Sequence, residues 1–117
     1  MTIQRLHPGS RMSEAVRIGD IVFLAGQIPD DLTGDIAKQT REVLDNIDAV
    51  MAELGGSKAD IASVQVWLSD MSDFQDMNAV WDAWVDPANP PARATCGVAL
   101  ARPGMRVEMI VFARAPK

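Results

Sequence analysis

Apolar side chains recur every three or four positions in two stretches of the chain, and this spacing predicts two amphipathic helices. The first covers residues 35–54 and stops at Gly55-Gly56. The second covers residues 72–85, with Ser72 as the expected cap of its amino end. The apolar stripes consist of Ile36, Thr40, Val43, Leu44, Ile47, Val50, Met51 and Leu54 in the first helix, and of Phe74, Met77, Trp81 and Trp84 in the second.

Short apolar or alternating runs predict strands before, between and after these helices. The runs lie at 3–7, 15–18, 21–25, 61–68, 93–98 and 105–113. Gly19-Asp20 separates the second run from the third and predicts a two-residue hairpin turn. This order of elements predicts an α+β sandwich, in which one mixed sheet carries both helices on one face. Because no third helix is predicted, we expect a second copy of the chain to cover the other face.

Length and composition narrow the class of protein. Residues 1–117 fit a single domain, and 48% hydrophobic residues are enough to build a core. The net charge of -5 argues against a nucleic-acid or anionic-membrane partner, which would require clustered Lys and Arg. The single cysteine, Cys96, excludes an intramolecular disulfide and suits a reducing compartment. The sequence shows no apolar leader and no run long enough to span a bilayer, so we expect a cytoplasmic protein.

Arg93 and Glu108 occupy positions that require an explanation. Arg93 opens a predicted strand directly behind two prolines, with no acidic residue near it in the sequence. Glu108 interrupts a mostly apolar strand, which is costly for a carboxylate without a partner. Alternation along the strand puts Thr95 on the face of Arg93 and Cys96 on the opposite face, where we expect the thiol to lie in the core.

Spacing alone leaves two interpretations of this pair open. If the last two strands form a hairpin, Glu108 lies close to Arg93 and the two form a structural ion pair. In the other interpretation they form a site, where Arg93 offers its planar fork to a ligand carboxylate and Glu108 holds a water or a proton. The sequence contains no zinc-ligand spacing and no phosphate-binding glycine loop, and we expect its one histidine, His7, at the surface.

Several short motifs also occur in a characteristic order along the whole chain. They are RMSEAV at 11–16, LAGQIP at 24–29, QT at 39–40, NID at 46–48, DF at 73–74, MN at 77–78, PAR at 91–93 and VE at 107–108. This ordered set resembles the reactive intermediate deaminase family, also called RidA or YjgF-like. The WDAWV segment at 81–85 and its short spacing to Arg93 are similar to the YoaB-like branch of that family.

The resemblance implies a chorismate-mutase-like fold and a homotrimer with ligand clefts between its subunits. It also implies hydrolysis of reactive 2-imino acids, such as 2-iminobutanoate and 2-iminopropanoate, and of their enamine tautomers to 2-keto acids and ammonia, without a cofactor or metal. An endoribonuclease (L-PSP) activity has been attached to the same family, and the acidic composition argues against it here.

The resemblance also assigns roles to individual residues. Arg93 matches the arginine that grips the substrate carboxylate, and Glu108 matches the glutamate associated with the attacking water. Gly26 matches a glycine whose backbone lines the cleft, and Asn78 matches a helix asparagine near it. The alternative is a binding protein of the same fold that holds a keto or amino acid without turnover, which needs Arg93 but not Glu108.

This chain departs from the family pattern at two positions around the pocket. The sequence contains no tyrosine, and Met12 falls closest to the place of a family tyrosine near the amino terminus. Thr95 stands where some members carry a cysteine. The expected carboxylate clamp is therefore intact, while the rest of the pocket is altered.

Overall fold

Six strands form one mixed sheet, and two helices pack on one face of it. The computed structural model describes residues 2–116 of the chain. Neither helix in that range has the length and apolar composition needed to cross a bilayer. In chain order the elements are β1 (Ile3–Leu6), β2 (Ala15–Ile18), β3 (Ile21–Leu24), α1 (Ile36–Glu53), β4 (Ile61–Leu68), α2 (Phe74–Trp84), β5 (Ala92–Gly97) and β6 (Val107–Arg114).

The strands lie in the order β1-β2-β3-β6-β4-β5. Strands β1, β2 and β3 are antiparallel neighbours, and β2 and β3 form the predicted hairpin, with Ile18 opposite Ile21 across the two-residue turn. Gly19 in that turn has φ +58°, a conformation that glycine adopts without steric cost. Strand β6 runs antiparallel to both β3 and β4, whereas β5 runs parallel to β4 at the sheet edge.

The core lies between the sheet and the two helices. Alternate residues of the central strands β4 and β6 point toward the helices and exclude solvent almost completely. Each fully buried aliphatic side chain of this kind contributes roughly 1.5–3 kcal/mol to folding. The main members are Val64, Val66 and Leu68 of β4, Val107, Met109 and Val111 of β6, Val43, Leu44, Ile47 and Met51 of α1, and Met77 and Trp81 of α2.

The opposite face of the sheet is open in the single chain. Ile21, Phe23 and Phe112 expose large apolar surfaces there, and the rings of Phe23 and Phe112 meet edge to face at 5.3 Å. Cys96 is also exposed, so the expectation that it lies in the core is wrong for the protomer. Alternation does turn it away from Arg93, but the face that it reaches has no second layer.

The helix ends follow local sequence signals in one case and depart from them in the other. Helix α1 begins where the Asp35 carboxylate accepts the Lys38 N–H at 2.8 Å, and Gly55 ends it with φ +87°. The predicted Ser72 cap of α2 is wrong: Asp73 precedes the helix without a side-chain cap bond. The chain first makes a short 3-10 turn, and the carboxylate at Asp70 accepts the N–H of Ser72 there.

A fully buried glutamine ties helix α1 to the loop between β5 and β6. The Gln39 amide nitrogen donates to the carbonyls of Gly34 at 3.0 Å and Gly104 at 2.8 Å. Its amide oxygen accepts the Arg106 N–H at 2.8 Å. A polar side chain in the core is tolerated here because both ends of its amide are satisfied by backbone groups. The loop at 98–106 therefore has a fixed path over the end of the sheet.

Replacing Gln39 by leucine should destabilise the protein by about 3 kcal/mol, because backbone groups of Gly104 and Arg106 lose buried partners. Urea unfolding followed by circular dichroism measures this loss. Gln75→Leu on the exposed side of α2 is the matched control and should change the free energy of unfolding very little. Equal losses in the two variants would contradict the structural role of Gln39.

Candidate functional site

Strand β4 lies between β5 and β6, so the hairpin expected from the sequence is wrong. Arg93 pairs with Val64 in a parallel ladder, whereas Glu108 pairs with Trp67 in an antiparallel one. The connection at 98–106 is longer than a tight hairpin loop and passes across the end of β4 instead. Arg93 and Glu108 are therefore not cross-strand neighbours, and the structural ion pair between them does not exist within the protomer.

The two residues also point to opposite faces of the sheet. Val64 is paired with both Arg93 and Val111, so these three side chains lie on the helix-covered face. Glu108 is an odd number of positions from Val111 and points to the other face. One small ligand cannot touch both side chains of the same protomer.

Arg93 is held on its face by aromatic rings of α2. Its guanidinium carbon lies 5.1 Å from the ring centroid of Trp81 and 6.0 Å from that of Phe74, within the range of cation–π contacts. Within residues 2–116, no carboxylate lies in salt-bridge distance of this guanidinium. The planar fork is thus oriented by contact with aromatic rings, and its N–H donors remain available for a ligand.

Two further polar groups join Arg93 to form what we call the arginine cluster, defined as Arg93, Thr95, Asn78, Phe74 and Trp81. Thr95 shares the face of Arg93 on β5, and Asn78 lies on the same stripe of α2 as Phe74 and Trp81. The hydroxyl oxygen of Thr95 and the amide oxygen of Asn78 are both buried and have no hydrogen-bond partner among the described residues. Such atoms are rare in folded proteins and indicate a site that something else completes.

Glu108 lines a separate cavity of about 620 Å³, which we call the glutamate cavity. The cavity lies where the chain leaves β3, and helix α1 and the loop at 98–106 contribute parts of its wall. Met12, Glu14, Gly26, Asp30, Arg102 and Glu108 supply the side chains and backbone that matter most for its chemistry.

Gly26 and Glu108 are in direct contact within the glutamate cavity. A Cβ atom at position 26 would overlap the Oε2 atom of Glu108, so glycine is the residue that leaves this carboxyl group its place. Partial burial raises the pKa of Glu108 above its ordinary range, because the charged form loses solvation. A carboxyl group of this kind binds a proton more readily than a fully solvated one.

The structure therefore divides the predicted site residues into two groups. Arg93, Thr95 and Asn78 lie in the arginine cluster, while Gly26, Glu108 and Met12 line the glutamate cavity. Met12 is 67% exposed and contributes flexible apolar surface at the cavity mouth.

The tryptophans and the histidine lie in different parts of the fold. Trp81 belongs to the core, as the apolar stripe of its helix predicts, and Trp67 lies on the open face beside Glu108. His7 is at the surface as expected, but it has a partner that the sequence did not reveal, because its Nε2 lies 2.8 Å from an oxygen of Glu53. No local pattern connects these two residues.

Sequence reasoning missed Glu14 and Gln27, which also line the glutamate cavity. Both belong to the quoted RMSEAV and LAGQIP motifs, so their proximity to Gly26 and Met12 in the sequence was the available signal. The amide of Gln27 donates to Glu14 Oε1 at 3.3 Å.

The sequence matches one protein family almost from end to end. The model of the family described as endoribonuclease L-PSP covers residues 2–115. This chain belongs to the RidA/YjgF-like family. A RutC family protein from Haemophilus influenzae is 40% identical over 114 residues, which cover 97% of this chain and 98% of that protein. The RutC family protein YoaB from Escherichia coli is 35% identical over 113 residues, covering 97% and 98% of the two chains.

A solved structure from the RidA/YjgF-like family has the same fold. A YjgF family protein from Neisseria meningitidis superposes with a TM-score of 0.95 and 41% sequence identity, covering 100% of this chain and 98% of that one. The proteins of this family have the chorismate-mutase-like fold, so the predicted fold class is confirmed.

The raised pKa of Glu108 predicts a specific dependence on pH. The folded protein holds this proton more tightly than the unfolded chain does, so the stability that Glu108 contributes is greatest at low pH. That contribution is lost as the pH rises through the folded pKa. Carbon NMR of the Glu108 carboxyl should give a midpoint above 4.5, its ordinary value. The resonance is assigned by its loss in Glu108→Gln, and a midpoint at or below 4.5 would contradict the burial effect.

Proposed function

We propose that the protein hydrolyses 2-imino acids and their enamine tautomers to 2-keto acids and ammonia in clefts between the protomers of a homotrimer. The observation that carries the proposal is the division of Arg93 and Glu108 between opposite faces of one sheet. Each face holds half of a site: a free cationic fork with unpaired polar atoms on one, and a partly buried carboxyl group in a cavity on the other. A cleft that joins the arginine cluster of one protomer to the glutamate cavity of another completes both halves.

Arg93 binds the carboxylate of the substrate in this mechanism. The guanidinium fork matches a carboxylate in two parallel hydrogen bonds, and a hydrogen bond to a charged group contributes roughly 1.5–3 kcal/mol. Packing against Trp81 and Phe74 orients the fork before the ligand arrives, which lowers the entropy cost of binding. The position of β5 at the sheet edge makes this face accessible to a neighbouring chain. Asn78 and Thr95 supply further polar contacts to the same ligand.

Glu108 manages the proton of the attacking water. As the water oxygen bonds to C2 and the C=N double bond becomes single, Glu108 accepts a proton from the water. Glu108 then returns that proton to the nitrogen, which gives a neutral carbinolamine. The hydroxyl proton next moves to the nitrogen by way of Glu108, the C–N bond breaks, and ammonia leaves as the remaining oxygen forms the keto double bond. A carboxyl group with a raised pKa performs both transfers more readily than a fully solvated one. The backbone of Gly26, in contact with this carboxyl group, forms the adjacent wall.

Two other functions are compatible with this fold. A binding protein that holds a keto acid without turnover is favoured by the presence of Met12 where the family tyrosine is expected, and it needs only Arg93. Glu108→Gln separates the two functions, because an enzyme loses turnover in this variant while pyruvate binding survives in either case. The family description includes an endoribonuclease, but the net charge of -5 opposes the phosphate contacts that RNA binding requires.

Complementation between two inactive variants tests the shared cleft. Arg93→Ala and Glu108→Gln should each abolish hydrolysis of imino acids that an amino-acid oxidase generates in the assay. Co-expressing the two variants with different tags and isolating mixed trimers should restore about a third of the wild-type activity, since one of the three clefts in every mixed trimer combines an intact Arg93 with an intact Glu108. Keto-acid formation is the measured quantity.

Light scattering provides the control for this experiment. Wild-type and variant proteins should all have about three times the chain mass of 12.7 kDa. A mixed oligomer of this mass with no restored activity would show that one protomer does not supply Arg93 while its neighbour supplies Glu108. A stable monomer with full activity would remove the shared cleft altogether.

A further inference from the structure

The glutamate cavity is larger than a minimal imino acid requires. Its volume of about 620 Å³ lies within the range of sites that hold ligands of many atoms. The side chain of 2-iminopropanoate is a single methyl group, which leaves most of this space unused. The cavity wall beyond Glu108 therefore has room for the side chain of a longer substrate.

Glu14 is a defined carboxylate in that wall. Its backbone is fixed on both sides, because its N–H donates to Leu6 O at 2.9 Å and its carbonyl accepts the N–H of Ala25 at 2.8 Å. Its side-chain Oε1 accepts a hydrogen bond from the amide of Gln27 at 3.3 Å. These hydrogen bonds therefore hold the carboxylate of Glu14 in a defined position.

Gln27 is itself a constrained donor. Its side chain is buried, with 4% of the residue exposed, and its amide also donates to Ala25 O at 2.8 Å. Its backbone exchanges two hydrogen bonds with Met109, at 2.8 and 3.0 Å, next to Glu108. A buried amide that is locked to the strand and directed at Glu14 holds this carboxylate beside the cavity.

The charge of Glu14 has no cationic partner among residues 2–116. Three carboxyl groups, from Glu14, Asp30 and Glu108, line the cavity against one guanidinium, from Arg102. Asp30 is exposed to solvent, which weakens an ion pair, whereas Glu14 is half-buried, and Glu108 is engaged in proton transfer under the proposed function. Glu14 is therefore the carboxylate that remains available to a ligand.

We propose that Glu14 determines substrate specificity by selecting 2-imino acids whose side chains end in a cationic group, such as guanidinium. This proposal rests on the proposed function for the position of the reacting carbon, which Arg93 and Glu108 set. A cationic side-chain end pairs with Glu14 in a partly desolvated cavity, whereas an anionic end is repelled. Gln27 acts as a positioning residue for Glu14.

Arginine and citrulline provide a matched pair of substrate precursors, because their side chains have nearly the same shape and differ in charge. A broad-specificity amino-acid oxidase converts each to its imino acid in the assay. The wild-type kcat/KM should be about fivefold higher for the arginine-derived imino acid, the factor expected of an ion pair worth up to about 1 kcal/mol. Glu14→Gln should bring the ratio of the two kcat/KM values close to one.

Asp82→Asn is the control, because it removes a negative charge from the exposed side of α2 and should keep the wild-type ratio. Melting temperatures confirm that each variant is folded. A wild-type ratio near one, or an unchanged ratio in Glu14→Gln, would overturn the role of Glu14 while leaving imine hydrolysis intact.

If the wild-type protein hydrolyses neither imino acid, the proposed function fails and binding decides the role of Glu14. Calorimetry then compares 2-oxo-5-guanidinopentanoate with its neutral ureido counterpart. Tighter binding of the guanidino compound that disappears in Glu14→Gln supports the selection of cationic side chains. Equal binding of the two compounds by the wild-type protein overturns it.

Discussion

The backbone hydrogen bonds that join β4 to both of its neighbours determine where the chemistry of this protein can occur. Because β5 pairs with β4 in parallel and β6 pairs with it antiparallel, Arg93 and Glu108 are separated by a strand. The same registers put one of them under the helices and the other on the open face. Any mechanism that uses both must therefore bring together two copies of the sheet, and the apolar open face with Phe23 and Phe112 offers a surface for that contact.

The arginine cluster and the glutamate cavity each hold their charged side chain in place without a ligand. Arg93 packs against Trp81 and Phe74 while its N–H donors remain free for a ligand. Glu108 keeps its place because Gly26 lacks a side chain. The unpaired oxygens of Thr95 and Asn78 carry a cost of roughly 1–3 kcal/mol each if nothing satisfies them. A ligand that hydrogen-bonds to these two oxygens removes the penalty, and the free energy recovered in this way strengthens its binding.

Local structure was predictable from the sequence, whereas strand order was not. The β2–β3 hairpin depends on Gly19-Asp20, and the two helices depend on spacing within one segment, so neighbouring residues contain the necessary information. The insertion of β4 between β5 and β6 depends on pairing between distant segments, which alternation within each strand does not encode. For that reason the sequence correctly predicted that Thr95 shares the face of Arg93 and that Cys96 does not. The prediction that Arg93 lies close to Glu108 was wrong. The link from Gln27 to Glu14 was missed because it joins two separate motifs.

Gln39 lies far from the reacting groups, yet its buried amide limits how the glutamate cavity can change shape. It holds the carbonyl of Gly104 and the N–H of Arg106, and the loop between them and β5 supplies Arg102 to the cavity wall. Swinging that loop outward would leave the buried amide oxygen of Gln39 without its hydrogen-bond partner, so the loop is a poor candidate for a hinged lid. Under the proposed function, substrates of different length would then be accommodated by rotation of exposed side chains such as Met12. If the cleft between protomers is the site, the exit of a bulky product would then depend on relative movement of the subunits and not on opening of this loop.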